Sequence, residues 1–182
     1  MSISPQSATY SFMRVDLRPA AIPHSELSVG QITLLRENFV VVEELSGIAA
    51  LVFYRHLFTL DPSLRPLFHS GIELQGRKLM EALEFTLAAL DNPTELVPVL
   101  EALGRRHVTY GTRDEHYATM TEAMLLTLRE TLGNKFSAEA EQAWRVALGF
   151  IHKTMIHGAS VVRELLQNAA LEPSGPAQTA GH

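Results

Sequence analysis

The 182-residue sequence contains no cysteine. That excludes a disulfide scaffold, a thiolate zinc site, a cysteine-held iron–sulfur cluster and a cysteine nucleophile, although it says nothing about compartment. An excess of positive charge is missing too: Lys+Arg 15 stand against Asp+Glu 20, a formal net charge of −5. A basic surface for nucleic acid or acidic lipid is therefore not expected. No apolar run approaches the ~18 residues of a membrane-spanning helix, and no basic stretch followed by an apolar block opens the chain. Neither sustained period-two alternation nor an internal repeat stands out. What remains is 46% apolar and 19% charged. That is the make-up of one soluble domain with a sizeable core, expected in the cytoplasm and with neither a membrane nor a nucleic acid as partner.

Residues 1–27 carry Pro5, Pro19 and Pro23 with no sustained period and read as an N-terminal extension. Residues 169–182 contain Pro173, Gly175 and Pro176 and read as a flexible tail. Between them, over 28–168, apolar residues recur at three- and four-residue steps, the period of helices that bury one face. The first such stretch, 28–45, aligns Ile32, Leu35, Phe39 and Val42. The second, 47–60, aligns Ala50, Tyr54, Leu57 and Phe58. Asp61-Pro62 opens a short helix through Leu64 and Leu67 by capping and by placing Pro at its first position. A helix over 72–90 carries Leu79, Ala82, Leu83, Leu87 and Leu90 and is broken by Asp91-Asn92-Pro93. The next starts near Thr94 and carries Leu96, Leu100, Leu103 and His107. Residues 114–132 align Tyr117, Met120, Met124, Leu125 and Leu128 before Gly133-Asn134. The last helix, from Ser137 to about Leu166, carries Ala140, Trp144, Ala147, Leu148, Ile151, Met155 and Val162. The fold class is all-α.

Three polar residues interrupt these stripes. His107 follows Leu103 on its face, Tyr54 lies among Ala50, Leu57 and Phe58, and Gln75 stands four residues before Leu79. A buried imidazole, phenol or amide without a partner costs ~1–3 kcal/mol, so each needs a carbonyl, a water, a side chain or a ligand. Each alone has a structural reading: a satisfied core histidine, a tyrosine bonded to a carbonyl, a glutamine in a helix cap. Together, on three helices of one all-α domain, they point to a shared polar pocket within an apolar core.

The usual motifs of catalysis are missing. Glu-x-x-His, the inward-facing pair of carboxylate-bridged metal bundles, does not occur, and Asp114-Glu115-His116 has the wrong spacing. The other histidines, His24, His56, His69, His116, His152, His157 and His182, show no ligand-pair spacing on one buried face. There is no nucleophile elbow, phosphate loop or dinucleotide fingerprint.

The run Leu103-Gly104-Arg105-Arg106-His107-Val108-Thr109-Tyr110-Gly111, followed by Glu115-His116-Tyr117, resembles the proximal segment of bacterial single-domain globins, that is, flavohaemoglobin-like globin domains without the reductase module. Leu51-Val52-Phe53-Tyr54-Arg55-His56-Leu57-Phe58, Asp61-Pro62 and Leu67-Phe68 resemble the second and third helices of that group. Gln75-Gly76-Arg77-Lys78-Leu79-Met80 resembles its distal helix, and Ala143-Trp144 the start of its last. The resemblance spans roughly residues 30 to 160 and implies a three-over-three helical sandwich around haem b, an iron protoporphyrin. His107 would then be the proximal axial ligand of the iron, with Phe68 packed on the haem face and Tyr117 also on the cofactor's proximal side. The O₂ pocket would be Tyr54, Gln75 and Leu79, with either Tyr54 or His69 open to ligating the iron when no gas is bound. Phe39 stands where many members have Trp. On the proximal side, flavohaemoglobins use a carboxylate in the last helix to draw a proton from the axial histidine, but His157-Gly158-Ala159-Ser160-Val161 supplies none. Such a proximal histidine pushes less electron density to the iron, which disfavours peroxidase-like chemistry.

The first functional reading is reversible O₂ binding, an oxygen carrier in the manner of bacterial haemoglobins, with Tyr54 and Gln75 as hydrogen-bond donors. The second is an enzyme, NO dioxygenation, which in a chain of this length needs an external reductase. A haem-based gas sensor ranks third, and a purely structural globin fourth, since it has no use for His107, Tyr54 and Gln75 together. The partners these readings imply are O₂, NO, CO or another small haem ligand, with the protein a monomer or homodimer.

Overall fold

A computed structural model describes residues 27–68 and 71–171. The expected extension, all but Leu27, lies outside the described residues, as do His69 and residues 172–182. The described chain folds into α1 (Val29–Glu44), α2 (Ser46–Leu60), α3 (Ile72–Ala88), α4 (Pro93–Thr109), α5 (Asp114–Leu132) and α6 (Ala138–Leu171). Short 3₁₀ turns cover Pro62–Leu67 and Gly133–Lys135, and no strand occurs among the described residues.

Local chemistry explains most of these boundaries. Ser28 caps α1 through a reciprocal pair: its Oγ accepts the Gln31 N–H at 3.2 Å, and Gln31 Oε1 accepts the Ser28 N–H at 2.9 Å. Asp61 Oδ1 accepts the Ser63 N–H at 2.9 Å and starts the next piece. That piece is 3₁₀ rather than α: the Pro66 ring would crowd the carbonyl of Pro62, four residues back, in an α turn. Ser137 Oγ takes the Ala140 N–H at 3.1 Å at the head of α6. The same helix runs on to Leu171, past the expected end at Leu166. Gln167-Asn168-Ala169-Ala170-Leu171 contains no breaker, and Pro173 is the first residue that disfavours another turn.

The helices form a three-over-three sandwich. α4 lies along α6, α2 packs on α5 and α3, and α1 touches α6, α3 and α5. Trp144 is buried at the centre, and its Nε1 donates to Asn38 Oδ1 at 3.3 Å, joining α6 to α1. Leu35, Phe53, Leu57, Leu96, Leu100, Leu125 and Leu128 fill the core around it. Although consecutive in the chain, α3 and α4 are not among the closely packed helix pairs. Of the expected stripes, Leu83 and Leu87 of α3 and Leu96 and Leu100 of α4 are buried, whereas Leu79, Leu103 and His107 stay half-buried; Met80, outside the expected stripe, is buried as well.

What positions α4 is a close approach to α6. A Cβ added at Gly104 would overlap the backbone of Met155, and one at Gly158 would overlap the backbone of Glu101. Backbone cannot yield as a side chain does, so Gly104→Ala should force the helices apart. The expected loss is about 3 kcal/mol, the upper range for overpacking, seen as a lower urea midpoint. A midpoint equal to that of the parent protein would show that the two helices are not locked at this crossing.

Candidate functional site

Two clusters hold the residues singled out from the sequence. The first is aromatic and sits where α2 meets the 3₁₀ turn. Tyr54 packs edge-on against Phe53 at 5.1 Å and Phe68 at 5.2 Å between ring centroids, and stacks on Phe58 at 5.8 Å. The Arg65 guanidinium covers the Phe58 ring at 4.6 Å. Burial among these rings pushes the Tyr54 phenol up to about 12, so it keeps its proton and remains a donor at any ordinary pH. Gln75, half-buried in the first turn of α3, stands beside Gly76, where α3 crosses α2. That crossing is tight: a Cβ on Gly76 would lie 2.6 Å from Ala50 Cβ, one turn before Tyr54.

The second cluster lies between α4, α5 and α6. His107 Nδ1 is 2.8 Å from the Leu103 carbonyl one turn back, and since a carbonyl oxygen only accepts, Nδ1 carries the proton. The opposite nitrogen, Nε2, therefore keeps a free lone pair. Burial holds the His107 imidazole below the usual histidine range; the Leu103 bond opposes this, and nearby Arg106 adds to it. Around the ring stand Tyr110, edge-on at 5.6 Å, and Tyr117, stacked at 6.4 Å. Tyr117 is buried, with its phenol pushed up to about 12 by desolvation.

The structure thus joins Tyr54 to Phe68 and His107 to Tyr117. Gln75 and Leu79 are half-buried on α3, and Leu103 and His107 on α4, two helices that are not among the closely packed pairs. Arg77, Lys78, Arg105 and Arg106 are exposed. His116 is a structural residue: buried at the start of α5, it accepts the Arg113 N–H at 3.1 Å through Nδ1.

One residue of this neighbourhood escaped the sequence reading. His152 packs against the Tyr117 ring at 5.2 Å, and its Nδ1 is 2.9 Å from Thr121 Oγ1. The signal was present: Leu148, His152, Met155 and Ala159 follow four-, three- and four-residue steps, a single helical face. Spacing to another histidine was the wrong criterion, because its neighbours come from α5.

Burial lowers the His152 imidazole to about 4, with the His107 charge as the lesser cause. The unfolded ring takes its proton near 6.5, so folding favours the neutral form between the two values. Stability from this group is complete above pH 6.5 and is lost as pH falls toward 4, up to about 3 kcal/mol. Urea unfolding at pH 7 and 4.5 should show a shallower pH dependence in His152→Gln than in the parent protein. Equal slopes would place His152 in water.

The comparisons with known proteins agree with this architecture. The globin family model matches residues 51–155, and the chain belongs to the globin family. It is similar to the flavohemoprotein of Bordetella parapertussis, 32% identical over 127 residues, which cover 68% of this chain and 31% of that protein. It is 34% identical over 108 residues to the flavohemoprotein of Chromobacterium violaceum, covering 57% of this chain and 26% of that one. The chain therefore spans about a third or less of these curated relatives. Among solved structures it resembles an engineered carbene transferase described as a "putative nitric oxide dioxygenase from Rhodothermus marinus". That likeness has a TM-score of 0.70 and 26% identity, and covers 78% of this chain and 99% of the other. No helix among the described residues is long and apolar enough to cross a membrane.

Proposed function

We propose that this globin binds haem b between α3 and α4 and holds O₂ reversibly, as a cytoplasmic oxygen-binding protein. The observation that carries the reading is the state of His107. Its Nδ1 proton is engaged by the Leu103 carbonyl, its ring is kept neutral by burial, and its Nε2 lone pair is left for a metal. Neutral imidazole with its second nitrogen hydrogen-bonded is the form that ligates iron well. The half-buried margins of α3 and α4 supply apolar surface for a flat macrocycle, with Phe68 and Leu79 shielding it from water.

A bound haem supplies an iron centre with a coordination position open to a diatomic gas. Tyr54, protonated because it is buried, and Gln75, with two amide protons, are the donors assigned to that gas. Tyr117, stacked on the His107 ring, would flank that ligand and take no part in holding the gas. Absorption spectra of the purified protein, ferric, ferrous, and with O₂ or CO, test the proposal. Haem at one per chain, with a ferrous form that takes up both gases, is the expected outcome. A protein that acquires no haem when supplied with it overturns the reading.

The name of the Rhodothermus marinus neighbour favours NO dioxygenation as the second reading. In that reading the same Tyr54–Gln75 pair would hold the O₂ that NO consumes, and an external reductase would have to return the iron to its ferrous state. Mixing the oxygenated protein with NO should give nitrate and the ferric form in a single turnover. Slow spontaneous oxidation with no nitrate would leave O₂ binding as the function.

A further inference from the structure

A groove runs along α1 where it meets α3 and continues to the start of α2. Its first part, about 410 Å³, lies between Phe39 and Val40 of α1 and Leu87 and Ala88 of α3. Its second part, about 490 Å³, lies between Ala50 and Leu51 of α2 and Ile72 and Met80 of α3. Phe39, Glu43 and Glu84 line both parts, which makes them one groove. Phe39, Ala50 and Met80 are buried and form the floor, while Val40 is 54% exposed and Leu51 57%. Single exposed apolar residues are ordinary, but two that line the same concavity offer surface for a partner to cover.

The rim is acidic. Glu43, Glu73, Glu81 and Glu84 line the groove, all are exposed, and none is in an ion pair or side-chain hydrogen bond among the described residues. Of the two cations there, Arg36 is already committed: it donates to the Leu87 and Ala88 carbonyls and pairs with Asp91 at 3.1 Å. Arg77 alone is left to face the four carboxylates. A second copy docking by the same groove would bring a like-charged rim and be repelled. The occupant that matches is apolar along one edge and positive along the other.

Such a segment is joined to α1 itself. Met13-Arg14-Val15-Asp16-Leu17-Arg18 alternates apolar and charged residues, too briefly to mark a strand of the domain. In an extended chain alternate side chains fall on opposite sides, which would put Met13, Val15 and Leu17 on one edge and Arg14 and Arg18 on the other. The tether is long enough. Leu27, packed against the core, stands at the head of α1. From there to Glu43 is about 24 Å along the helix, and the chain from Arg18 to Leu27 can span about 30 Å. We propose that this groove seats the chain's own N-terminal segment, with Met13, Val15 and Leu17 on the apolar floor and Arg14 and Arg18 paired to Glu43, Glu81 and Glu84. Seated there, the segment covers the tight crossing of Gly76 and Ala50 and braces the first turn of α3, which carries Gln75. The seat is independent of the role given to His107.

Because the sequence has no cysteine, Ser11→Cys places a single lanthanide tag beside the segment without altering it. Amide NMR spectra of the full-length ¹⁵N protein, with gadolinium and then diamagnetic lutetium in the tag, show which residues the segment approaches. The amides of Leu51, Glu81 and Glu84 should lose most of their intensity with gadolinium. With Arg14→Glu and Arg18→Glu added, that loss should fall several-fold, and Glu43→Lys with Glu84→Lys should bring it back. Loss confined to residues near Leu27, or the same loss in the parent and the arginine-reversed protein, overturns the proposal. Mixing tagged, unlabelled protein with untagged ¹⁵N protein tests for a groove filled by a second copy's segment. Loss in that mixture as large as within one tagged chain also overturns it, and no loss in the mixture supports the intramolecular seat.

Discussion

His107→Ala should leave the purified protein almost free of haem, with uptake restored by added imidazole. The argument begins with the neighbours. Tyr110 packs edge-on and Tyr117 stacks on the His107 ring, but a protonated phenol is a far poorer iron ligand than a neutral imidazole and does not replace it. Among the described residues, the other histidines have partners of their own: His152 is bound to Thr121, His116 caps α5, His56 pairs with Glu130 and His157 stands 3.7 Å from Glu101. Removing a single hydrogen-bond partner of a metal ligand typically costs 10–100-fold in affinity. Removing the ligand itself should cost at least about 100-fold. The alanine leaves a hole bounded by the Leu103 carbonyl and two aromatic rings, a site shaped for free imidazole. Pyridine haemochrome analysis would count haem per chain with and without it. A mutant with the parent's haem content and an unaltered ferrous–CO spectrum would remove His107 from the axial position.

The same residue shows how far a sequence can be read. Its placement on the face of Leu96, Leu100 and Leu103 follows from helical period alone, and the order and ends of the helices follow from Ser28, Asp61-Pro62, Pro93, Gly133 and Ser137. Period could not say that Leu79, Leu103 and His107 would remain at the margins of two helices kept apart, because that depends on which helices pair. The pairing is set by Gly104 against Met155 and Gly158 against Glu101, contacts between residues far apart in sequence. Nor could it show the 3₁₀ form of Pro62–Leu67, where the Pro66 ring would crowd the carbonyl four residues back in an α turn. His152 was lost for a related reason: its meaning comes from Tyr117 and Thr121 on another helix, and a search for pairs of ligands along one helix passes over it. Tyr54 was easier. A phenol in the middle of an apolar face declares its burial at once, and the ring cluster with Phe53, Phe58 and Phe68 follows from the same stripe continuing into the next turn.

Replacing Tyr54 with Phe, or Gln75 with Leu, should speed O₂ release by roughly 10- to 100-fold. O₂ held by haem carries partial negative charge on its outer atom, so a hydrogen bond to it is charge-assisted and worth ~1.5–3 kcal/mol in a dry site. Tyr54 meets both conditions: its ring is enclosed by three phenylalanines, and its proton is held far above neutral pH. The substitution to Phe removes one oxygen atom and leaves the ring packing in place, so little of the effect can come from repacking. Gln75 lies half-buried near the α2–α3 crossing, where water competes more strongly, and its share should be the smaller. CO carries little charge on its oxygen, and its release should change only a few-fold, which separates lost hydrogen bonding from a widened pocket. If both donors act on one ligand and the remaining donor strengthens its bond when the other is gone, each single variant hides part of its loss and the double variant should exceed the product of the two single effects. Stopped-flow dissociation of O₂ and CO on the three variants supplies all these quantities. Parental O₂ release in both single variants would mean that neither group reaches the gas; equal acceleration of O₂ and CO would point to sterics in place of hydrogen bonding.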